Sequence, residues 1–108
     1  MENGVDAPGE STLPLTLAIK DTFRVNYISS YLENVRLAIV EDKVNVKGYF
    51  VWSMVDNFEW ANGYTVRFGI TYVDYAHNQT RYLKDSFYWY RDYIAKQKNP
   101  DTYVPIFI

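Results

Sequence analysis

The sequence predicts an α/β fold, and three observations lead to it. From Asp21 or Thr22 to about Asp42, apolar side chains recur at three- and four-residue spacing, the pattern of an amphipathic helix. After a short connection comes a continuous apolar run, Tyr49-Phe50-Val51-Trp52 through Val55, rich in aromatic and β-branched residues. Such a run suits a strand covered on both faces, as in a parallel sheet, better than an alternating, half-exposed one. Where that strand ends, the composition turns abruptly to Asp56, Asn57, Glu59, Trp60, Asn62 and Gly63. Parallel α/β scaffolds present their sites at the carboxyl ends of strands, so Val46 to Tyr75 is the candidate functional stretch. Two tryptophans and a glutamate there point to a sugar-like ligand, although a buried strand followed by a polar turn also accounts for the composition.

The elements follow in order. Met1 to Pro14 is punctuated by Asn3-Gly4, Pro8-Gly9 and Pro14 and reads as a long loop. In the helix that follows, Phe23, Tyr27, Ile28, Tyr31, Leu32, Val35, Ala38 and Ile39 form the apolar face, with Tyr27 and Tyr31 read as core. Glu33, Arg36 and Glu41 fall on the solvated side. Asp42-Lys43 ends the helix, and Val44 to Lys47 leads into the strand. Beyond Gly63, Val66, Phe68, Ile70, Tyr72 and Tyr75 predict an extended strand, which Arg81-Tyr82-Leu83 pairs with across the turn at residues 76–80. Ser86 is the expected cap of a last helix from Phe87 to about Lys98, with Trp89, Tyr90, Tyr93 and Ile94 on its buried side and Asn99-Pro100 as its stop. The apolar tail Tyr103 to Ile108 is expected to pack on a neighbour or to be disordered. Helix, connection and strand make half of a βαβ unit. A doubly covered parallel strand needs neighbours on both sides, so the chain is expected to be part of a larger α/β domain.

Composition narrows the function classes. The 108 residues suffice for one small domain. A net charge of −2 gives no basic face for nucleic acid or an acidic membrane. Without cysteine there is no disulfide framework or thiolate metal site, and the single His77, read as a surface loop residue, builds no histidine metal centre. Neither a metal nor a cofactor is expected. No stretch of eighteen apolar residues exists to span a membrane, and the opening Met-Glu-Asn-Gly has no charged region followed by an apolar core, as a signal peptide would. Aromatics, led by eleven tyrosines, make up 19% of the chain, and their flat apolar faces with polar edges suit sugars as well as cores. Asn78-Gln79-Thr80 is a glycosylation sequon, a triplet common by chance.

Two stretches carry a family resemblance. Glu2-Asn3-Gly4 resembles the Glu-Asn-Gly nucleophile motif that closes the seventh barrel strand of family 1 glycoside hydrolases, especially the plant β-glucosidases. Lys20 to Tyr27 resembles the start of the following helix, and Asn45 to Phe50 with Trp52-Ser53 resembles strand eight. Asp56-Asn57-Phe58-Glu59-Trp60 and Gly63 to Gly69 resemble the loop after it. Arg81 to Lys84, Ser86 and Trp89-Tyr90 resemble the entry to the last helix. Glu-Asn-Gly alone would be weak, but these blocks are ordered, cover nearly the whole chain and are together specific.

The resemblance implies a fold, a reaction and a set of roles. The fold is the carboxyl-terminal part of a (β/α)8 TIM barrel, with residues 1–108 as a partial domain. The reaction is retaining hydrolysis of an O-β-glucoside in two displacements. Glu2 resembles the nucleophile, and Trp52 the platform under the glucose ring. Glu59 resembles the acid that binds the 4- and 6-hydroxyls. Trp60 is expected to offer its indole N–H to a neighbouring hydroxyl, and Phe68 to border the subsite. Thioglucosidases are related, but Phe58-Glu59-Trp60 looks more like the O-glucosidase form of the loop. Plant relatives generally enter the secretory pathway, which suggests an extracellular or vacuolar protein.

The departures carry equal weight. Met1 stands where the family has a strand residue, Leu83 replaces the usual proline before the last helix, and no Asn-Glu-Pro, the family's acid/base motif, occurs. A complete barrel takes about 250 residues. The chain by itself is therefore expected to be inactive, and the alternative reading is a non-catalytic sugar-binding or complementing fragment.

Overall fold

The computed structural model describes residues 1–98 and has two small sheets backed by two helices. A two-residue strand β1 (Glu2–Asn3) pairs in parallel with β2 (Phe50–Val51), Glu2 opposite Phe50 and Asn3 opposite Val51. The antiparallel hairpin is β3 (Thr71–Asp74) with β4 (Thr80–Leu83), in the register Thr71 to Leu83 and Asp74 to Thr80. Between β1 and the long helix lie a 3-10 turn at Glu10–Thr12 and the short helix α1 (Leu15–Ala18). Helix α2 spans Thr22–Glu41 and α3 spans Asp85–Lys98.

The long helix and the antiparallel hairpin arise where the sequence pattern places them, whereas the parallel pairing draws in residues 2–3, which the pattern reads as loop. Several details differ. The first fourteen residues are not a plain loop but hold β1 and the 3-10 turn, in which Glu10 is buried. Asp21 occupies the N-cap position of α2 without capping it. Its carboxylate instead accepts from the Ser86 backbone N–H at 2.9 Å and from Ser86 Oγ at 2.5 Å. Ser86 in turn is not a cap but sits, fully buried, inside the first turn of α3. The two expected caps thus bind one another and join the starts of both helices, aided by the Asp85 N–H donated to the Ile19 carbonyl at 2.8 Å.

Burial also departs from the pattern. On α2 the buried stripe is Arg24, Ile28 and Leu32, while Phe23, Tyr31 and Ile39 are exposed. Ile94 of α3 is exposed as well. The segment from Tyr49 to Val55 is not covered on both faces: Phe50 is 69% exposed and Met54 is exposed too. The reason is its neighbours, since β1 is its one paired strand among the described residues and residues 68–70 bond only to Ser53 at its end. Residues 64–70 are not strand, because Phe68, Gly69 and Ile70 make their bonds to Ser53 and Asp56. The helix stop at Asn99-Pro100 and the tail Tyr103 to Ile108 lie outside the described residues.

The apolar core is small. Ile28, Leu32 and Ile70 are its buried centre, with Tyr27, Tyr49, Val51, Phe87, Trp89, Tyr90 and Tyr93 packed around it. Among the described residues more polar than apolar side chains are buried. The radius of gyration, 15.2 Å, exceeds the roughly 13 Å of a compact 100-residue domain. The extents of 45 × 33 × 19 Å describe an open slab, with no closed barrel.

A buried ionic network runs through the slab beside this core. Arg24, fully buried on α2, pairs through both terminal nitrogens with the Glu10 carboxylate and also reaches Asp21 Oδ2 at 2.7 Å. Lys84, equally buried, donates to Glu10 Oε1 at 2.8 Å and to Asp56 Oδ1 at 3.3 Å. Asp56 also accepts from Arg67 Nη1 at 2.5 Å. Three carboxylates and three cations alternate through the interior, which is how buried charge is tolerated. Burial raises the pKa of Glu10, but hydrogen bonds and charge from Arg24, then Lys84, outweigh it and hold the group below its ordinary value. For Asp21 burial prevails over the bonds from Ser86 and Arg24, and its pKa is raised.

Candidate functional site

The site lies where β2 runs out. Trp52 follows β2 directly, its backbone N–H donated to the Asn3 carbonyl at 2.8 Å, so it is fixed against the segment that carries Glu2. The Trp52–Ser53 peptide bond is cis. Ser53 donates its N–H to the Phe68 carbonyl at 3.0 Å and accepts that of Ile70 at 2.8 Å, which folds residues 68–70 back alongside.

Trp52 and Glu59 come together. The half-buried indole Nε1–H points between both oxygens of the buried Glu59 carboxylate, at 3.1 and 3.2 Å. An indole N–H is a donor only and an ionised carboxylate an acceptor only, so the pairing satisfies both and fixes their relative orientation. A carboxylate with two oxygens has further lone pairs to offer paired donors such as neighbouring hydroxyls.

The other predicted residues fall around this pair. Glu2 is exposed at the sheet end, on β1. Its neighbour Asn3 is held on both sides: Nδ2 donates to Tyr27 Oη at 3.3 Å and Oδ1 accepts from Tyr49 Oη at 2.9 Å. Gly4 follows because the chain touches Trp52 there; a Cβ on Gly4 would lie 1.7 Å from the Trp52 carbonyl oxygen. Phe68 is half-buried beside Ser53. Trp60 is not gathered in: it opens a 3-10 turn (Trp60–Asn62) with φ 48° and is 81% exposed. Phe58 and Tyr64 are exposed beside it, their rings 5.3 Å apart. Among the described residues no hydrogen bond joins Glu2 to Trp52 or Glu59.

Sequence reasoning missed Asp56, Arg67 and Lys84, which lie under this wall. Arg67 also donates to the Val73 carbonyl at 2.9 Å and stacks over Tyr72, 4.0 Å from its ring centre. A buried acid needs partners, and Arg67 and Lys84 lay in plain sight downstream, but nothing local pairs them with Asp56. Tyr27, read as core, packs half-buried against the core and also accepts from Asn3 in the segment behind Glu2. His77 is exposed in the β3–β4 turn beside Asp74, where Asn78 also lies exposed. No group of three or more His, Cys, Asp or Glu side chains among the described residues is arranged to hold a metal ion, and no described helix is long and apolar enough to cross a membrane.

Known proteins resemble this chain in sequence and fold. Residues 1–99 match the family described as "Glycosyl hydrolase family 1". Beta-glucosidase 12 of Oryza sativa subsp. indica is 50% identical over 95 residues, 88% of this chain and 18% of the rice protein. The crystal structure of a family 1 β-glucosidase from the fungus Humicola insolens, in complex with glucose, superposes with a TM-score of 0.81 at 49% identity, covering 83% of this chain and 19% of that one. A rice β-glucosidase mutant in covalent complex with glucose superposes at 0.78 and 44% identity, covering 83% and 19%. The chain therefore spans about a fifth of the length of the proteins it matches. Their structures are TIM barrels, and the chain corresponds to part of one. With its sequence blocks, its parallel strand pair and the Trp52–Glu59 contact all falling within that match, the chain belongs to glycosyl hydrolase family 1.

Proposed function

We propose that this chain supplies the glucose-holding wall and the nucleophile of a retaining O-β-glucosidase. The contact that carries the reading is Trp52 Nε1–H on the Glu59 carboxylate, at the end of a strand paired with the Glu2 segment. In it, β1 is the end of the seventh barrel strand, α2 the seventh helix, β2 the eighth strand and α3 the eighth helix. Trp52 lies under the sugar ring, with its indole face against the apolar C–H side. Glu59 accepts from the 4- and 6-hydroxyls, and an analogue lacking one of them leaves a buried acceptor unpaired. Trp60 swings its indole N–H toward a neighbouring hydroxyl, and Phe68 borders the ring.

In the reaction the Glu2 carboxylate attacks the anomeric carbon while the bond to the leaving oxygen breaks. That oxygen takes a proton from a second carboxylic acid roughly 5 Å away. Water then cleaves the glycosyl ester, returning Glu2 as carboxylate and releasing glucose with retained configuration. The covalent glucose complex of the rice relative is the species such a nucleophile produces. No Asn-Glu-Pro segment occurs in these 108 residues to provide the proton donor. The chain alone therefore does not hydrolyse glycosides, whereas the chain joined to the remaining barrel does. Co-expression with the upstream portion of a relative, followed by an aryl β-glucoside assay, tests this. Aglycone release by the purified chain alone, abolished in Glu2→Gln, would show the division of labour to be wrong.

A second reading has its own support, since the Trp52–Glu59 wall forms within the chain itself: the chain binds sugar without catalysis. Tryptophan fluorescence that never responds to glucose or a β-glucoside would count against it.

A further inference from the structure

We propose that Asp56 is a positioning residue for the Trp52–Glu59 wall, setting the distance between indole and carboxylate without touching the ligand. The inference rests on the reading of that wall as the sugar site, but its geometry stands independently. Trp52 and Glu59 are seven residues apart, and their side chains meet only if the backbone between them turns back. Asp56 lies inside that turn and is buried. Its carboxylate gathers the Gly69 N–H at 3.0 Å, the Val73 N–H at 3.3 Å, Arg67 Nη1 at 2.5 Å and Lys84 Nζ at 3.3 Å. Its own N–H is donated to the Thr71 carbonyl at 3.0 Å. It is thus the last point at which the turn is tied to the 69–73 segment before Glu59 is reached.

The surroundings are shaped to this purpose. A Cβ on Gly69 would lie 2.2 Å from the Asp56 nitrogen, so the two backbones meet with no side chain between them. Arg67, stacked over Tyr72 and bonded to the Val73 carbonyl, is itself immobilised and presents a fixed charge. Between Ser53 and Asn57 the turn is tightened by Ser53 Oγ donating to the Val55 carbonyl at 2.9 Å and Asn57 Nδ2 donating to the same oxygen at 3.0 Å. Beyond Asp56, Glu59 makes only local backbone bonds among the described residues, to Gly63 and Asn62, besides the indole. Exchanging one Asp56 carboxylate oxygen for an amide NH2 leaves one of the two buried N–H groups without its acceptor and removes the charge facing Arg67 and Lys84, and the tied segments drift apart. Glu59 then loses its place against Trp52.

The test is the indole proton resonance of Trp52 in the 108-residue chain, with the exposed Trp60 as internal reference. In Asp56→Asn the Trp52 signal is expected to lose its carboxylate-bonded shift and move to the Trp60 position. In Leu32→Ala, which weakens the core away from the site, thermal stability falls but the Trp52 signal stays. If Asp56→Asn does not fold, Arg67→Lys decides, with a partial shift expected. An unmoved Trp52 signal in a folded Asp56→Asn or Arg67→Lys variant, or a signal that moves as much in Leu32→Ala, overturns the proposal. A glucose titration of the same samples separates the underlying reading: absence of binding by the wild-type chain counts against the sugar site and leaves the indole result to judge Asp56.

Discussion

Arg24 and Glu10 meet at full burial, the guanidinium of a helix residue gripping a carboxylate from a 3-10 turn fourteen positions earlier in the chain. Removing one member of a buried pair strands the other. Arg24→Met is therefore expected to cost about 3–5 kcal/mol, because Glu10 and Asp21 both lose a partner. The i,i+3 pair Arg36–Glu33, on the exposed side of the same helix, gives the contrast. Arg36→Met leaves the urea midpoint where it was. Chemical unfolding of both variants checks the pair, and equal losses would contradict the ionic account of the fold.

Acid acts on the same network with two signs. The Glu10 pKa is lowered in the folded chain, so its contribution is complete above the unfolded pKa and is lost as pH falls through the folded one. The Asp21 pKa is raised, so acidification favours the folded state at that group. Glu10→Gln is thus expected to flatten the acid limb of a stability-against-pH curve and Asp21→Asn to steepen it. The opposite ordering would show that other groups govern acid unfolding.

Alkali should reach Tyr49. Burial, then the neighbouring Tyr90 and Tyr27, push its pKa up to about 12. An unfolded tyrosine ionises near about 10, so stability is intact below that value and declines as pH rises toward about 12. Tyr49→Phe should make that decline shallower, as followed by circular dichroism against pH. An unchanged slope would place the alkaline sensitivity elsewhere, with Tyr75 and Tyr90, whose pKa values burial also raises, as the next groups to examine.

Glycine matters at two positions for different reasons. At Gly9, φ is 73° with open space around it, so Gly9→Ala costs only the left-handed conformation, about 1 kcal/mol. At Gly4 a methyl would collide with the backbone of Trp52, and β1 must move off β2. Gly4→Ala is expected to destabilise more than Gly9→Ala and, unlike it, to perturb the Trp52 indole signal. Equal costs with an unmoved Trp52 would mean that the Glu2 segment does not depend on this contact.

How much of this was legible depended on range. Helix α2 was readable because Ile28 and Leu32 recur on one face, and the β3–β4 hairpin because Tyr72 and Tyr82 alternate about a turn. The buried ionic network was not, since Lys84 and Glu10 are 74 residues apart and a charge alone does not name its partner. One local sign existed: Arg24 stands four residues before Ile28, in line with the buried stripe, where a cation has no place unless paired. The apolar run Tyr49 to Val55 has the composition of a strand covered on both faces. Its exposed Phe50 and Met54 are the residues that such cover would bury. For the site, the Trp52, Glu59 and Glu2 positions came from motif resemblance. Asp56 beneath them needed the fold, because its four partners come from residues 67–84.

Glu2, Trp52 and Glu59 are proposed as the nucleophile side of a β-glucosidase site. The most direct test places residues 1–98 in a chimera, replacing the matching segment of rice Beta-glucosidase 12, with aglycone release from an aryl β-glucoside as the measurement. The folded chimera is expected to release aglycone, and Glu2→Gln to reduce release to background while circular dichroism and Tm are unchanged. A folded chimera without activity, or one whose activity survives Glu2→Gln, would contradict the proposal.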